Sequence, residues 1–167
     1  MSVTFNGNVV KLADKELNVG EDAPEVVLVG GNLSPVKVGG KSDKVQILVA
    51  VPSLDTPVCA SEARRFNVEA TKLDNVSVVI VSMDLPFASG RFCTTENINN
   101  LSVASDFRKK EFSKKYGILI GDGVLEGLCA RAIFVVGKDG KVVYKEIVSE
   151  VTKEPDYQKA IEAVKSI

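Results

Sequence analysis

Apolar residues along this chain follow two periods, one of unbroken runs of strand length and one of positions recurring every third or fourth residue. The longest run, Val45-Gln46-Ile47-Leu48-Val49-Ala50-Val51, is β-branched, as expected of a central strand covered on both faces. Val76 to Met83 has the same character. Between them, residues 59–73 carry helical spacing, with Ala63, Phe66, Ala70 and Leu73 forming one apolar stripe. Shorter helical segments are predicted over 86–93 and 106–116. Asn6-Gly7, between Val3-Thr4-Phe5 and Val9-Val10-Lys11-Leu12, supplies the positive φ angles of a tight hairpin turn. Strands at Val26–Val29 and Val36–Val38 flank a turn at Gly30-Gly31-Asn32. Later, Ile133 to Val136, Gly137-Lys138-Asp139-Gly140 and Val142 to Ile147 read as strand, tight turn, strand. Pro155 then opens a last helix with Tyr157, Ile161 and Val164 on one face.

The order β-β-α-β-α-β-β-α predicts an α/β layer fold, a mixed central sheet flanked by helices, with an N-terminal β-hairpin. A strand that leads directly into a cysteine-bearing helix, with a closing antiparallel pair plus helix, suggests the thioredoxin-like arrangement. No repeat, low-complexity tract or long Pro/Gly-rich linker interrupts the chain, so residues 1–167 are expected to form one domain.

Composition narrows the function. The chain has 167 residues, 21 Lys+Arg against 22 Asp+Glu, a net charge of -1, and is 45% hydrophobic. A chain of this size buries roughly 70% of its unfolded surface. Without a basic excess, nucleic acid and anionic membrane surfaces lose ground as partners. Histidine is absent, which removes Ser-His-Asp and Cys-His catalysis and every His-containing zinc site. The first residues lack the basic-then-apolar order of a signal peptide, and the apolar runs are far below the ~20 residues that span a bilayer. A soluble, cytoplasmic protein is expected. Three scattered cysteines, Cys59, Cys93 and Cys129, fit neither a disulfide scaffold nor a metal spacing. The glycine pairs lack the order of a phosphate loop. No cofactor or metal is expected.

In a reducing compartment, cysteines either pack or do chemistry. Thr56 is a good N-cap, Pro57 fits the first helical position, and Cys59 then falls in the first turn. There, unpaired N–H groups and the positive end of the helix dipole favour an anion, and the thiolate is the nucleophilic form. Taken alone, the same residues also fit a buried cysteine behind an ordinary Thr-Pro helix start. Glu62 occupies the position that a Cys-x-x-Cys motif would give to a second cysteine, so an ordinary dithiol oxidoreductase is disfavoured.

Three stretches carry a family resemblance: Val51-Pro52-Ser53-Leu54-Asp55-Thr56-Pro57-Val58-Cys59, Asp84-Leu85-Pro86-Phe87-Ala88-Ser89-Gly90-Arg91-Phe92-Cys93, and Leu128-Cys129-Ala130-Arg131-Ala132. The chain resembles the bacterial thiol peroxidases, peroxiredoxins of the atypical two-cysteine type, over essentially its whole length. The Pro-x-x-x-Thr-x-x-Cys pattern is specific to peroxiredoxins, and the segment ending at Cys93 to this subgroup. The resemblance implies that Cys59 is the peroxidatic cysteine and Cys93 the resolving one. It implies that Thr56 and Pro52 shape the peroxide pocket and that Arg131 is the cationic partner of the thiolate. It further implies reduction of hydrogen peroxide and alkyl hydroperoxides, an intramolecular Cys59–Cys93 disulfide, recycling by thioredoxin or a similar dithiol, and a homodimer. A non-enzymatic peroxide sensor that relays a disulfide is the competing reading.

Read without the family, Cys93 fits packing beside Phe92, and Arg131 fits pairing with a surface carboxylate. Arg64, Arg65 and Glu62 read as solvated helix surface. Cys129 departs from the family, which usually has alanine there, and reads as a small buried apolar residue. A disulfide needs Cα atoms within ~7 Å. If the reduced fold holds Cys59 and Cys93 farther apart, their two helical segments must shift or partly unwind during turnover, and such a local order–disorder step is expected.

Overall fold

In the computed structural model, which describes residues 1–167, the two long apolar runs become the middle of a sheet. The elements are β1 (Ser2–Phe5), β2 (Asn8–Lys11), β3 (Val26–Gly30), β4 (Pro35–Val38), β5 (Val45–Ala50), α1 (Pro57–Ala70), β6 (Val76–Ser82), α2 (Pro86–Glu96), β7 (Ser102–Ser105), α3 (Glu111–Lys115), β8 (Ala132–Val136), β9 (Val142–Ile147) and α4 (Tyr157–Lys165). Seven strands pair in the order β4-β3-β7-β6-β5-β8-β9, and β1-β2 form a separate antiparallel hairpin. β5, β6 and β7 run parallel, while β3, β4, β8 and β9 join antiparallel, so the sheet is mixed.

Alternation along the central strands sorts side chains into two cores. Ile47, Val49, Ile133 and Val135 face a layer that includes Cys59, Ala63 and Phe66 of α1 and Ala160 and Val164 of α4. Leu48, Ala50, Phe134 and Val136 face the opposite layer, with Phe112, Tyr116, Ile118 and the hairpin residues Val3 and Val10. Both layers of β5 are fully buried, which explains why its pattern is a run rather than an alternation.

Four expectations need correction. β7 was not anticipated, because Ser102-Val103-Ala104-Ser105 is too short and too polar for a strand signal; its pairing with β6 is what buries it. The predicted helix over 106–116 is helical only at Glu111–Lys115. Asp106 instead acts from outside, accepting from Phe112 N (3.1 Å) and Ser113 N (2.9 Å). Pro155 lies before the last helix and not in its first turn, since Asp156 is the N-cap and accepts from Lys159 N. Glu62 is not helix surface, as described below.

α2 reaches its place by a close approach of backbones. A Cβ on Gly90 would stand 2.9 Å from the carbonyl oxygen of Gly31, so only glycine lets the helix rest against the β3–β4 turn. No helix is long and apolar enough to cross a membrane.

Candidate active site

The site begins at the junction of β5 and α1. The strand ends at Ala50, the chain turns through Pro52 to Asp55, and Thr56 caps the helix. Thr56 Oγ1 accepts from Cys59 N at 3.4 Å and donates to Ser53 O at 3.2 Å, so one hydroxyl both caps α1 and fixes the loop before it. Pro57 takes the first helical position, as expected. Cys59 follows in the first turn and is completely buried. Asp84, just beyond β6, secures the loop from the side. Its carboxylate accepts from Ser53 Oγ (2.7 Å), Leu54 N (2.7 Å) and Ser82 Oγ (2.8 Å).

Arg131 immediately precedes β8, and continuing the alternation of Ile133 and Val135 aims it at the α1 side of the sheet. Its Nη2 donates to Cys59 Sγ at 3.3 Å, its Nη1 to Glu62 Oε2 at 2.5 Å, and its Nε to Val151 O at 3.0 Å. Three of its donors are thus committed in a fork that lysine could not reproduce. Val151 is itself held by the hairpin. Val151 N donates to Thr4 O (2.8 Å), Thr4 N donates to Ser149 O (2.7 Å), and the Glu150 carboxylate accepts from Thr4, Asn6 and Gly7.

Glu62 was expected on the helix surface and is instead 0% exposed, as Arg131 is only 2% exposed. A signal was available in its position. Cys59, Glu62 and Phe66 recur at helical spacing, so a carboxylate three residues after the cysteine shares its face. Burial pushes the Glu62 carboxyl up, and Arg131 pulls it only part of the way back, to about 7. Burial by itself pulls the Arg131 guanidinium down, but the charges of Glu62 and Cys59 outweigh it and hold the guanidinium above its ordinary value. A permanent cation is therefore clamped between a sulfur and a carboxylate, away from water.

Of the five residues singled out from sequence, Cys59, Thr56 and Arg131 come together directly. Pro52 is buried at the start of the same loop. Cys93 stands apart on α2, half-buried against the apolar layer that contains Cys59, and all three thiols are free. Burial pushes the Cys93 thiol up. Cys129 packs in the opposite layer, across the sheet from Cys59, and burial pushes its thiol far up. Arg64 and Arg65 are exposed as expected, although Arg64 pairs with Glu96 of α2 at 2.7 Å.

Between the start of α1 and α2 lies a cavity of about 500 Å³, walled by Leu54, Thr56, Pro57 and Ala60 on one side and by Arg91 and Phe92 on the other. Cys59 sits behind the Thr56–Ala60 wall, and Cys93 follows Phe92.

Comparison with known proteins identifies the family. Residues 18–161 match the family model described as Redoxin. The chain is 57% identical over 157 residues to the thiol peroxidase of Campylobacter jejuni, covering 94% of this chain and 89% of that one. A crystal structure of a peroxiredoxin-like protein from Aquifex aeolicus superposes with a TM-score of 0.96 at 49% identity, covering 99% of this chain and 96% of that one. A thiol peroxidase from Chromobacterium violaceum, at 18% identity, shares the fold with a TM-score of 0.87 over 99% of this chain and 95% of that one. A seven-stranded thioredoxin-like sheet, a cysteine at the first turn of its main helix, and relatives matched over nearly their whole length lead to one assignment: this chain belongs to the thiol peroxidases of the redoxin family.

Proposed function

We propose that this thiol-dependent peroxidase works through Cys59 as peroxidatic cysteine and Cys93 as resolving cysteine, within a single domain of 167 residues. The observation that carries the reading is the buried contact of Cys59 Sγ with Arg131 Nη2, 3.3 Å, at the start of a capped helix. In that setting a guanidinium and the first-turn N–H groups converge on the sulfur that acts as nucleophile. The thiolate attacks the distal oxygen of a hydroperoxide. The O–O bond breaks, an S–O bond forms, and the leaving oxygen departs as water or an alcohol once protonated. The Thr56 hydroxyl, at the mouth of the cavity, orients the peroxide, and Pro52 limits access of water to the loop behind it.

The Cys59 sulfenic acid then condenses with the Cys93 thiol, forming an S–S bond and releasing water. A dithiol reductant of the thioredoxin class supplies two electrons and two protons to restore both thiols. Hydrogen peroxide and alkyl hydroperoxides are the substrates. Three scattered cysteines, too few for a secreted disulfide scaffold, support a reducing, cytoplasmic setting. Leu33, Phe87 and Phe107 are exposed around one groove, and such a patch supports a homodimer.

The test follows NADPH consumption with thioredoxin, its reductase and cumene hydroperoxide. Cys59→Ser and Cys93→Ser lose thioredoxin-linked turnover, whereas Cys129→Ser retains it. Turnover surviving Cys59→Ser would overturn the assignment of the nucleophile, and full turnover in Cys93→Ser would overturn that of the resolving thiol.

A further inference from the structure

α2 is a weakly secured helix. Its N-cap, Leu85, offers no side-chain acceptor, and Gly90 sits in its interior. Thr94 Oγ1 bonds back to Gly90 O, an arrangement that competes with the helix ladder. Ser89 is its one fully buried side chain, and the Ser89 hydroxyl has no partner. Nothing in these features explains why the turn that carries Cys93 stays wound.

The explanation lies on α1. Asn67 Oδ1 accepts from Asn99 N (3.1 Å) and Asn100 N (2.9 Å), while Asn67 Nδ2 donates to Asn97 O (3.4 Å). Asn100 Nδ2 returns a bond to Asn67 O (3.3 Å). One turn earlier on the same face, Arg64 Nη1 meets Glu96 Oε2 at 2.7 Å. The chain between leaves the helix at Asn97, which adopts the left-handed conformation with φ 54° and closes the Cys93–Asn97 turn by donating to Cys93 O. Four hydrogen bonds and an ion pair thus clasp residues 96–100 to α1, immediately after the resolving thiol.

We propose that Asn67, assisted by Arg64, is a positioning residue for the resolving step: its clasp on residues 96–100 holds Cys93 in α2, and release of the clasp sets the rate at which Cys93 reaches the Cys59 sulfenic acid. The inference rests on the reading of Cys93 as resolving cysteine. The chemical step is unchanged: the Cys59 S–O bond and the Cys93 S–H bond break, the S–S bond forms, and water leaves. Local opening precedes it, so a weaker clasp speeds resolution and leaves less sulfenic acid for a second peroxide to over-oxidise.

The experiment mixes reduced protein with one equivalent of cumene hydroperoxide and follows acid-quenched samples by mass spectrometry, which separates reduced, sulfenic and disulfide forms. In Asn67→Ala the sulfenic-to-disulfide rate rises about threefold to tenfold, the change expected when hydrogen bonds of ordinary net strength are lost. The rate of sulfenic acid formation stays within about twofold, because the Cys59 contacts are untouched. The peroxide concentration that inactivates half the enzyme rises in parallel. Arg64→Gln gives a smaller gain, about twofold, as an exposed ion pair allows. Should Asn67→Ala fail to fold, Arg64→Gln and Asn67→Asp, which keeps the acceptor oxygen and loses the bond to Asn97, carry the same measurement. A resolution rate unchanged in the variants, or one that falls together with sulfenic acid formation, overturns the clasp. Absence of the Cys59–Cys93 disulfide in the unsubstituted protein overturns the pairing of the cysteines and the clasp with it.

Discussion

The two helices that carry Cys59 and Cys93 are built on opposite principles. Both open on proline, but α1 has a side-chain cap and four buried residues, one of them joined to Arg131 by a buried ion pair. α2 lacks a side-chain cap, has one fully buried side chain, and depends on contacts at its ends and on a glycine close approach at its middle. The sulfur proposed as nucleophile, which would meet peroxide in one geometry, is fixed by the core. The thiol proposed to travel to it rests half-buried on the same apolar layer, and the segment after it is held by polar contacts that exchange readily with water. On the cycle proposed above, local stability is apportioned along this chain according to which sulfur has to move.

The largest effect is expected on the rigid side. Arg131→Met leaves the Glu62 carboxylate and the Cys59 sulfur buried without their cation, and urea unfolding should show a loss of about 3–5 kcal/mol. A loss no greater than that of an exposed ion pair would mean that α1 does not depend on this contact.

Next comes the pH dependence that Glu62 imposes. Its carboxyl stands at about 7 in the folded protein against 4.5 unpaired, so the native state binds the extra proton between those values. The stability this contributes is complete below pH 4.5 and is lost as pH rises through 7. Glu62→Gln should therefore remove part of the downward slope in unfolding free energy between pH 4.5 and 7, measured as the difference from the unsubstituted protein. Parallel curves for the two proteins would place Glu62 in an environment far more polar than its burial implies.

On the mobile side, Gly90→Ala puts a Cβ 2.9 Å from the Gly31 carbonyl and forces α2 away from the β3–β4 turn. A cost of about 1–3 kcal/mol is expected for such overpacking. Alkylation of Cys93 in the native protein should accelerate several-fold while that of Cys59 does not, and equal acceleration of both would erase the contrast between the helices. The smallest effect belongs to the thiol outside the cycle. Cys129→Ala removes one buried sulfur, costs about 1 kcal/mol, and leaves peroxidase turnover within about twofold.

Much of this contrast was legible before the fold. The β5 run, the Thr56-Pro57-Cys59 helix start and the strand, tight turn and strand that close the sheet are local signals, and local physics decides them. β7 was missed because four residues rich in serine become a strand only through their parallel partner. Glu62 was misread because a charged residue beside an arginine pair looks solvated until the strand that supplies Arg131 is folded against it. Asp84 and Asn67 act across some thirty residues of chain, through the loop they brace and the segment they clasp, and no periodicity marks such a pairing. What escaped the sequence is what depends on two distant segments meeting.

The hold of the N-terminal hairpin on Ser149–Val151 has a consequence for how the enzyme comes into being. Arg131 gains its third anchor from Val151, and Val151 is fixed by Thr4, so residues from the two ends of the chain close on the guanidinium together. On a ribosome, Cys59 and its helix emerge long before that closure is possible. The newborn chain carries Cys59 while its cation is still incompletely held, and the site matures only when residues near 151 have left the exit tunnel. The sulfur proposed to defend against oxidants is thus synthesised first and anchored last.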